Sequence, residues 1–137
     1  MKEIITKSPE ETFSVGEELG KTCRGGEVIL LLGNLGAGKT CLTQGIAKGL
    51  GVKGKVTSPT FNIMKIYKIK IGVLCHIDAY RLNSGKDLEK IGVDDYLEKK
   101  DSVVVIEWAE RVESIWPENV IKIEISNIPK GRKIKIS

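Results

Sequence analysis

The chain has 137 residues, 41% of them hydrophobic and 29% charged, with a formal net charge of +4. This is the composition of an ordinary globular protein, and the length fits one domain spanning 1–137. The lysines are scattered with no long basic run, which reads as a solvated surface with a mild preference for anionic partners such as nucleotides or RNA.

Cys23, Cys41 and Cys75 are odd in number and widely spaced, without a CxxC or Cys/His cluster. Neither a zinc site nor a disulfide framework is supported, and free thiols in a reducing cytoplasm are the expectation. The N-terminal residues lack a signal-peptide apolar core, and the apolar run Val28 to Leu32 is far too short to span a bilayer. No membrane association is expected.

In chain order, Glu3 to Thr6 is a short edge strand. Ser8 reads as a helix N-cap with Pro9 at the first helical position and Glu10 and Glu11 in the first turn. Phe13, Val15, Leu19 and Cys23 are expected roughly on one face of that helix, which Gly25-Gly26 ends. Glu27 to Leu32 is nearly all apolar and predicts a strand buried on both faces.

A glycine loop follows, then a helix from about Gly38 to Leu50 with Leu42, Ile46 and Leu50 inward. Phe61 to Ile69 and Val73 to Asp78 predict a hairpin of two strands. Lys86 to Ile91 and Val93 to Leu97 predict short helical pieces, and Val103 to Glu107 a second buried strand. Glu110 to Ile115 reads as helical. Val120 to Ser126 and Arg132 to Ile136 alternate as half-buried strands. The sum is an α/β fold with a mixed central sheet, parallel in the middle and antiparallel at the edge, flanked by helices.

The sharpest chemical signal is Gly33-Asn34-Leu35-Gly36-Ala37-Gly38-Lys39-Thr40, the phosphate-loop pattern GxxxxGK[ST], set between an apolar strand and an amphipathic helix. Glycines let the backbone wrap an anion with successive N–H groups, and the helix N-terminus adds its dipole. Lys39 supplies a positive charge for the β- and γ-phosphates and Thr40 a hydroxyl for magnesium.

Such a loop needs a second acid, usually at the end of a neighbouring buried strand. Glu107, the first charge after four apolar residues, fits that place; the plainer reading is a solvated strand end. Asp78 closes Val73 to Ile77 and is either a second functional acid or a turn aspartate. Thr57-Ser58-Pro59-Thr60 has the hydroxyls of a γ-phosphate-sensing switch, although such a segment alone is more often a turn. His76 reads as a packed core histidine, and Trp108 and Trp116 as structural. No arginine lies in or beside the loop in sequence.

Five segments in order resemble the TsaE (YjeE) family of bacterial ATPases: Gly33 to Thr40, Ser58-Pro-Thr-Phe61, His76-Ile-Asp-Ala-Tyr-Arg-Leu82, Ile106-Glu-Trp108 and the late Arg132. GAGKT is common to many NTPases; the other segments in this order are far more specific. The resemblance implies a P-loop NTPase fold and a magnesium-ATP-dependent ATPase needed for threonylcarbamoyladenosine modification of tRNA.

It further implies that Leu35, Gly36, Ala37, Gly38, Lys39 and Thr40 wrap the phosphates and that Thr40 and Glu107 hold Mg2+. Asp78 takes part in hydrolysis near the γ-phosphate, Thr60 belongs to a switch-like loop with Arg81 close by, and adenine lies near Ser8, Pro9 and the Gly131-Arg132 turn. The implied partners are an ASKHA-fold transferase and its paralogue, a heterodimer that the ATPase resets between turnovers, with tRNA met through the complex. Asn34 stands where the family usually has an acid, Cys41 where a second Thr is common, and Ala79 for a bulky apolar residue. None of these removes a phosphate or metal ligand. The alternatives are a small-molecule kinase, which normally adds an arginine-rich lid, and a nucleotide-gated interaction module.

Overall fold

The computed structural model of the chain describes residues 2–33, 38–57, 59 and 62–137. A seven-stranded sheet runs in the order β1-β7-β6-β2-β5-β4-β3. Its strands are β1 (Lys2–Thr6), β2 (Val28–Leu32), β3 (Met64–Ile69), β4 (Gly72–Asp78), β5 (Ser102–Glu107), β6 (Ile121–Ile128) and β7 (Gly131–Ile136). The helices are α1 (Pro9–Thr22), α2 (Lys39–Leu50) and α3 (Gly85–Lys90), with 3-10 turns at Val93–Asp95 and Ala109–Ile115.

The expected division of the sheet holds. β2 pairs in parallel with β5 and β6, and β4 in parallel with β5. The β3–β4 hairpin and the β6–β7–β1 run are antiparallel. β2 and β5 are buried on both faces because one apolar cluster lies on each side of the sheet. Leu42, Ile46 and Leu50 of α2 pack with Ile29, Leu31 and Val105 on one side. Leu30, Ile77 and Ile106 meet Leu88 and Val112 on the other. Truncating a fully buried Leu or Ile of this kind to Ala costs about 2–5 kcal/mol.

α1 starts as its sequence dictates. Ser8 Oγ accepts from the Glu11 N–H at 3.1 Å, Glu11 Oε1 in turn accepts from the Lys7 N–H, and Pro9 fills the first turn. The expected side-chain face is only partly right. Val15, Leu19 and Cys23 lean on the core, but Phe13 lies apart from them, beside Lys48 of α2. The contact between α1 and α2 is made by backbone. A Cβ on Gly16 or Gly20 would come 2.3 Å from the carbonyls of Leu42 and Ile46, and one on Gly45 or Gly49 would come 2.1 Å from those of Phe13 and Glu17. Two four-residue-spaced glycine pairs thus let the helices touch main chain to main chain.

β3 begins at Met64, three residues later than expected. Asn62 is a turn residue and Ile63 takes a left-handed φ of 65°, which breaks the extended run. Phe61 lies outside the described residues. Among the described residues no helix is long and apolar enough to cross a membrane.

Candidate functional site at the carboxyl ends of the parallel strands

In open α/β sheets, ligands are met beyond the carboxyl ends of the parallel strands. At that edge β2 ends before Gly33, β4 ends on Asp78 and β5 on Glu107. Asp78 and Glu107 are direct register partners, so their backbones lie side by side. The chain turns off β2 at Gly33, where φ is 140° and a Cβ would stand 2.3 Å from the Ile125 carbonyl; only glycine fits. It re-enters at Gly38, the left-handed residue that caps α2. Asn34, Leu35, Gly36 and Ala37, between them, lie outside the described residues, as do Ser58 and Thr60.

Lys39, the first residue of α2, is 5% exposed, and its ammonium donates to the Gly33 carbonyl at 2.8 Å. It also sits 3.8 Å from the centre of the Trp108 ring, a cation–π contact. Burial pushes the Lys39 pKa below its ordinary value, while the charges of Glu107, Glu110 and Asp78 push it back up. The lysine is therefore a buried cation facing a group of carboxylates.

Glu107 is not a solvated strand end. It is 5% exposed, and its Oε2 lies 2.6 Å from Nε2 of His76, itself 1% exposed. An ionised carboxylate only accepts, so the His76 Nε2–H donates. Among the described residues, His76 Nδ1 is the buried side-chain polar atom left without a hydrogen bond. The Asp78 carboxylate accepts from the Tyr80 N–H at 3.0 Å, so it also serves as a turn aspartate.

Trp108 has a left-handed φ of 57° and ψ of 40°. For a bulky residue this costs about 1–3 kcal/mol. The turn brings its ring against Lys39 and against Tyr80, whose ring centre is 4.9 Å away at a tilt of 56°. Arg111 lies over both rings, at 5.3 Å from Tyr80 and 5.7 Å from Trp108.

A second part of the site is a cavity of about 190 Å³ lined by Lys7, Ser8, Pro9, Thr12, Gly38, Cys41, Gly131 and Arg132. It brings Pro9, Gly38 and Arg132 together from three distant parts of the chain. Arg132 Nε would be 3.7 Å from a Cβ on Gly38. Arg132 stands beside Pro9, the neighbour that the family resemblance implies for it, whereas Arg111, near the Trp108 ring, was not anticipated.

The Thr40 hydroxyl and the Glu107 carboxylate are hard oxygen donors of the kind magnesium takes, and Glu107 keeps Oε1 apart from its histidine contact. Among the described residues no cluster of three or more His, Cys, Asp or Glu could hold a metal.

The strand order, the loop between β2 and α2 and the acids at the strand ends define a P-loop NTPase-type fold. The family model for threonylcarbamoyl adenosine biosynthesis protein TsaE matches residues 6–134, and the chain belongs to the TsaE family. The tRNA threonylcarbamoyladenosine biosynthesis protein TsaE of Aquifex aeolicus is 38% identical over 138 residues, covering 99% of this chain and 96% of its own. Its counterpart in Treponema pallidum is 37% identical over 129 residues, 94% of each chain. The crystal structure of Bacillus subtilis YdiB superposes with a TM-score of 0.83 at 32% identity, covering 98% of this chain and 83% of that one.

His76 and Trp108 are the site residues that sequence reasoning undervalued. Both belong to the segments that carried the family resemblance.

Proposed function

We propose that the chain is a magnesium-ATP-binding ATPase acting in threonylcarbamoyladenosine modification of tRNA. In this reading it works with an ASKHA-fold transferase and its paralogue and resets that heterodimer between turnovers. The observation that carries the proposal is the meeting of Lys39, Asp78 and Glu107 at one sheet edge, beside a loop of phosphate-binding sequence. Family membership supplies the pathway.

Lys39 would turn from the Gly33 carbonyl to the β- and γ-phosphates, still backed by the Trp108 ring. Thr40 and Glu107 would hold the magnesium ion, which supplies charge neutralisation on the phosphate oxygens. Asp78 would orient the attacking water from the adjacent strand. Gly33 and Gly38 would frame the loop of Leu35, Gly36 and Ala37, and Thr60 would close over the γ-phosphate. Pro9, Cys41 and Arg132 would wall the adenine.

Hydrolysis is proposed to depend on the partner complex, which would order the segment from Asp78 to Leu82. The test is a steady-state ATPase titration with both ASKHA-fold proteins of the same organism, on the parent chain and on R81A and R111A. Activity appearing only with the partners, and lost in R81A without loss of ADP binding, supports this reading. Loss in R111A instead transfers the role to the arginine stacked on Trp108. Turnover near the enzyme median of about 10 s⁻¹ in the chain alone, unchanged by partners, would refute partner dependence and reopen the kinase reading.

A further inference from the structure

The charge of this chain is segregated, although its lysines look scattered. From Val28 to Ile77 there is no Asp or Glu and no Arg, but there are seven lysines; all 18 acidic residues and the other 15 basic ones lie outside that stretch. A net charge of +4 thus divides into +7 on this segment and −3 on the remainder.

The fold gathers most of that charge on one face. Two hollows of about 420 and 630 Å³ share Val52, the first between α1, α2 and the connection that follows α2, the second between that connection and the edge strand β3. Lys48 and Lys55 line the first; Lys53 and Lys70 line the second, while Lys68 borders it from the face of β3 opposite to Tyr67 and Ile69. All five are exposed, and among the described residues none of them forms a salt bridge. Each hollow also contains one half-buried aromatic ring, Phe13 in the first and Tyr67 in the second. Holding Lys48, Lys53, Lys55 and Lys70 together without counter-charges opposes compact folding, and an anionic ligand would relieve that repulsion.

We propose that this lysine-lined groove binds the phosphodiester backbone of RNA directly. The proposal goes beyond the ATPase reading, in which tRNA is met through the partner complex, and does not rest on it. One feature favours RNA over an acidic protein surface. The rings on the groove floor offer stacking faces to bases, which an acidic peptide lacks. The groove ends near Thr57, whose backbone and hydroxyl contact Tyr67 and Lys65, and so adjoins the segment that leads to Thr60.

The test is fluorescence anisotropy of the nucleotide-free chain with labelled tRNA and, separately, labelled polyglutamate. With about four phosphates neutralised, tRNA affinity falls about 50- to 150-fold between about 50 mM and about 200 mM salt. K53E/K55E and K48E/K70E each reduce tRNA affinity by about tenfold or more with ADP affinity and thermal midpoint retained. K86E/K90E, the same charge change on α3, serves as the control and should change affinity less than about threefold. Tighter binding of polyglutamate than of tRNA would assign the groove to a protein partner and overturn the proposal. So would an equal loss in the α3 control, retention of affinity in both groove variants, or no tRNA binding at about 50 mM salt.

Discussion

The Nε2 atom of His76 lies 2.6 Å from Oε2 of Glu107, and both side chains are almost wholly withdrawn from solvent. The glutamate proposed to hold magnesium is therefore also a buried structural partner. Removing either side chain leaves the other buried without its hydrogen bond. H76A is expected to lower unfolding free energy by about 1–3 kcal/mol, the cost of an unsatisfied buried group. Urea denaturation reads this directly, and an unchanged midpoint would show that the pair contributes nothing to stability.

Glu107 separates the two roles if the carboxylate is replaced by an amide. E107Q retains an acceptor oxygen for His76 and loses the charge. Its nucleotide-free stability should stay close to that of the parent chain, while magnesium-dependent hydrolysis in the partner complex falls by about tenfold or more. E107A should lose both. Normal hydrolysis in E107Q would show that the charge serves neither metal nor chemistry.

Lys39 carries a charge that burial disfavours, so its native pKa lies below the ordinary value of 10.5. The native state then releases this proton before the unfolded chain does, and stability rises as pH climbs from the native pKa towards 10.5. Below the native pKa the penalty is fully present. K39M should be more stable than the parent at pH 7 without nucleotide, and this advantage should shrink in alkaline buffer. Calorimetry should show at least about tenfold weaker ATP binding, the loss of one phosphate-facing charge. Unchanged affinity would remove Lys39 from the site.

The three thiols differ in access. Cys75 is buried, whereas Cys23 and Cys41 are partly covered; burial pushes Cys75 and Cys23 up to about 12 and raises Cys41 as well. Cys41 should be the first alkylated, faster at higher pH as thiolate forms. It lines the cavity with Pro9 and Arg132, so saturating ADP should slow its reaction. Equal rates with and without ADP, checked by mass spectrometry, would place the nucleotide elsewhere.

The glycine seam gives a stability prediction of unusual sign. In a helix interior, Gly to Ala ordinarily helps by about 1 kcal/mol. Here a methyl on Gly45 would meet the Phe13 carbonyl at 2.1 Å. G45A should instead destabilise by about 1–3 kcal/mol, the cost of overpacking. A higher thermal midpoint in G45A would contradict the close helix contact.

The sheet was legible because β2 and β5 are apolar runs and β6 and β7 alternate, patterns set by burial on two faces or one. The strand-terminal acids were legible for the same reason, since each is the first charge after a buried run. What local pattern does not encode is contact across the sheet or between distant loops. His76 meets Glu107 only because β4 and β5 pair, and Arg132 reaches Gly38 only because β7 folds back beside α1. The glycines of α1 and α2 look like poor helix formers until the partner helix is in place. Nor does scattering along the chain predict scattering in space, as the lysines of α2, β3 and their connection demonstrate.

Main-chain contact between α1 and α2 has a mechanical meaning. Each helix begins at the small cavity, α1 with Ser8 and Pro9 and α2 with Gly38 and Lys39. No layer of side chains lies between their glycines to act as a bearing, so sliding or rotating either helix would drive backbone against backbone. The third wall is tied in the same way, because a Cβ on Gly131 would come 2.3 Å from the Thr6 carbonyl. The cavity is thus a fixed gauge rather than an adjustable jaw. Whatever ring enters it is measured against that backbone.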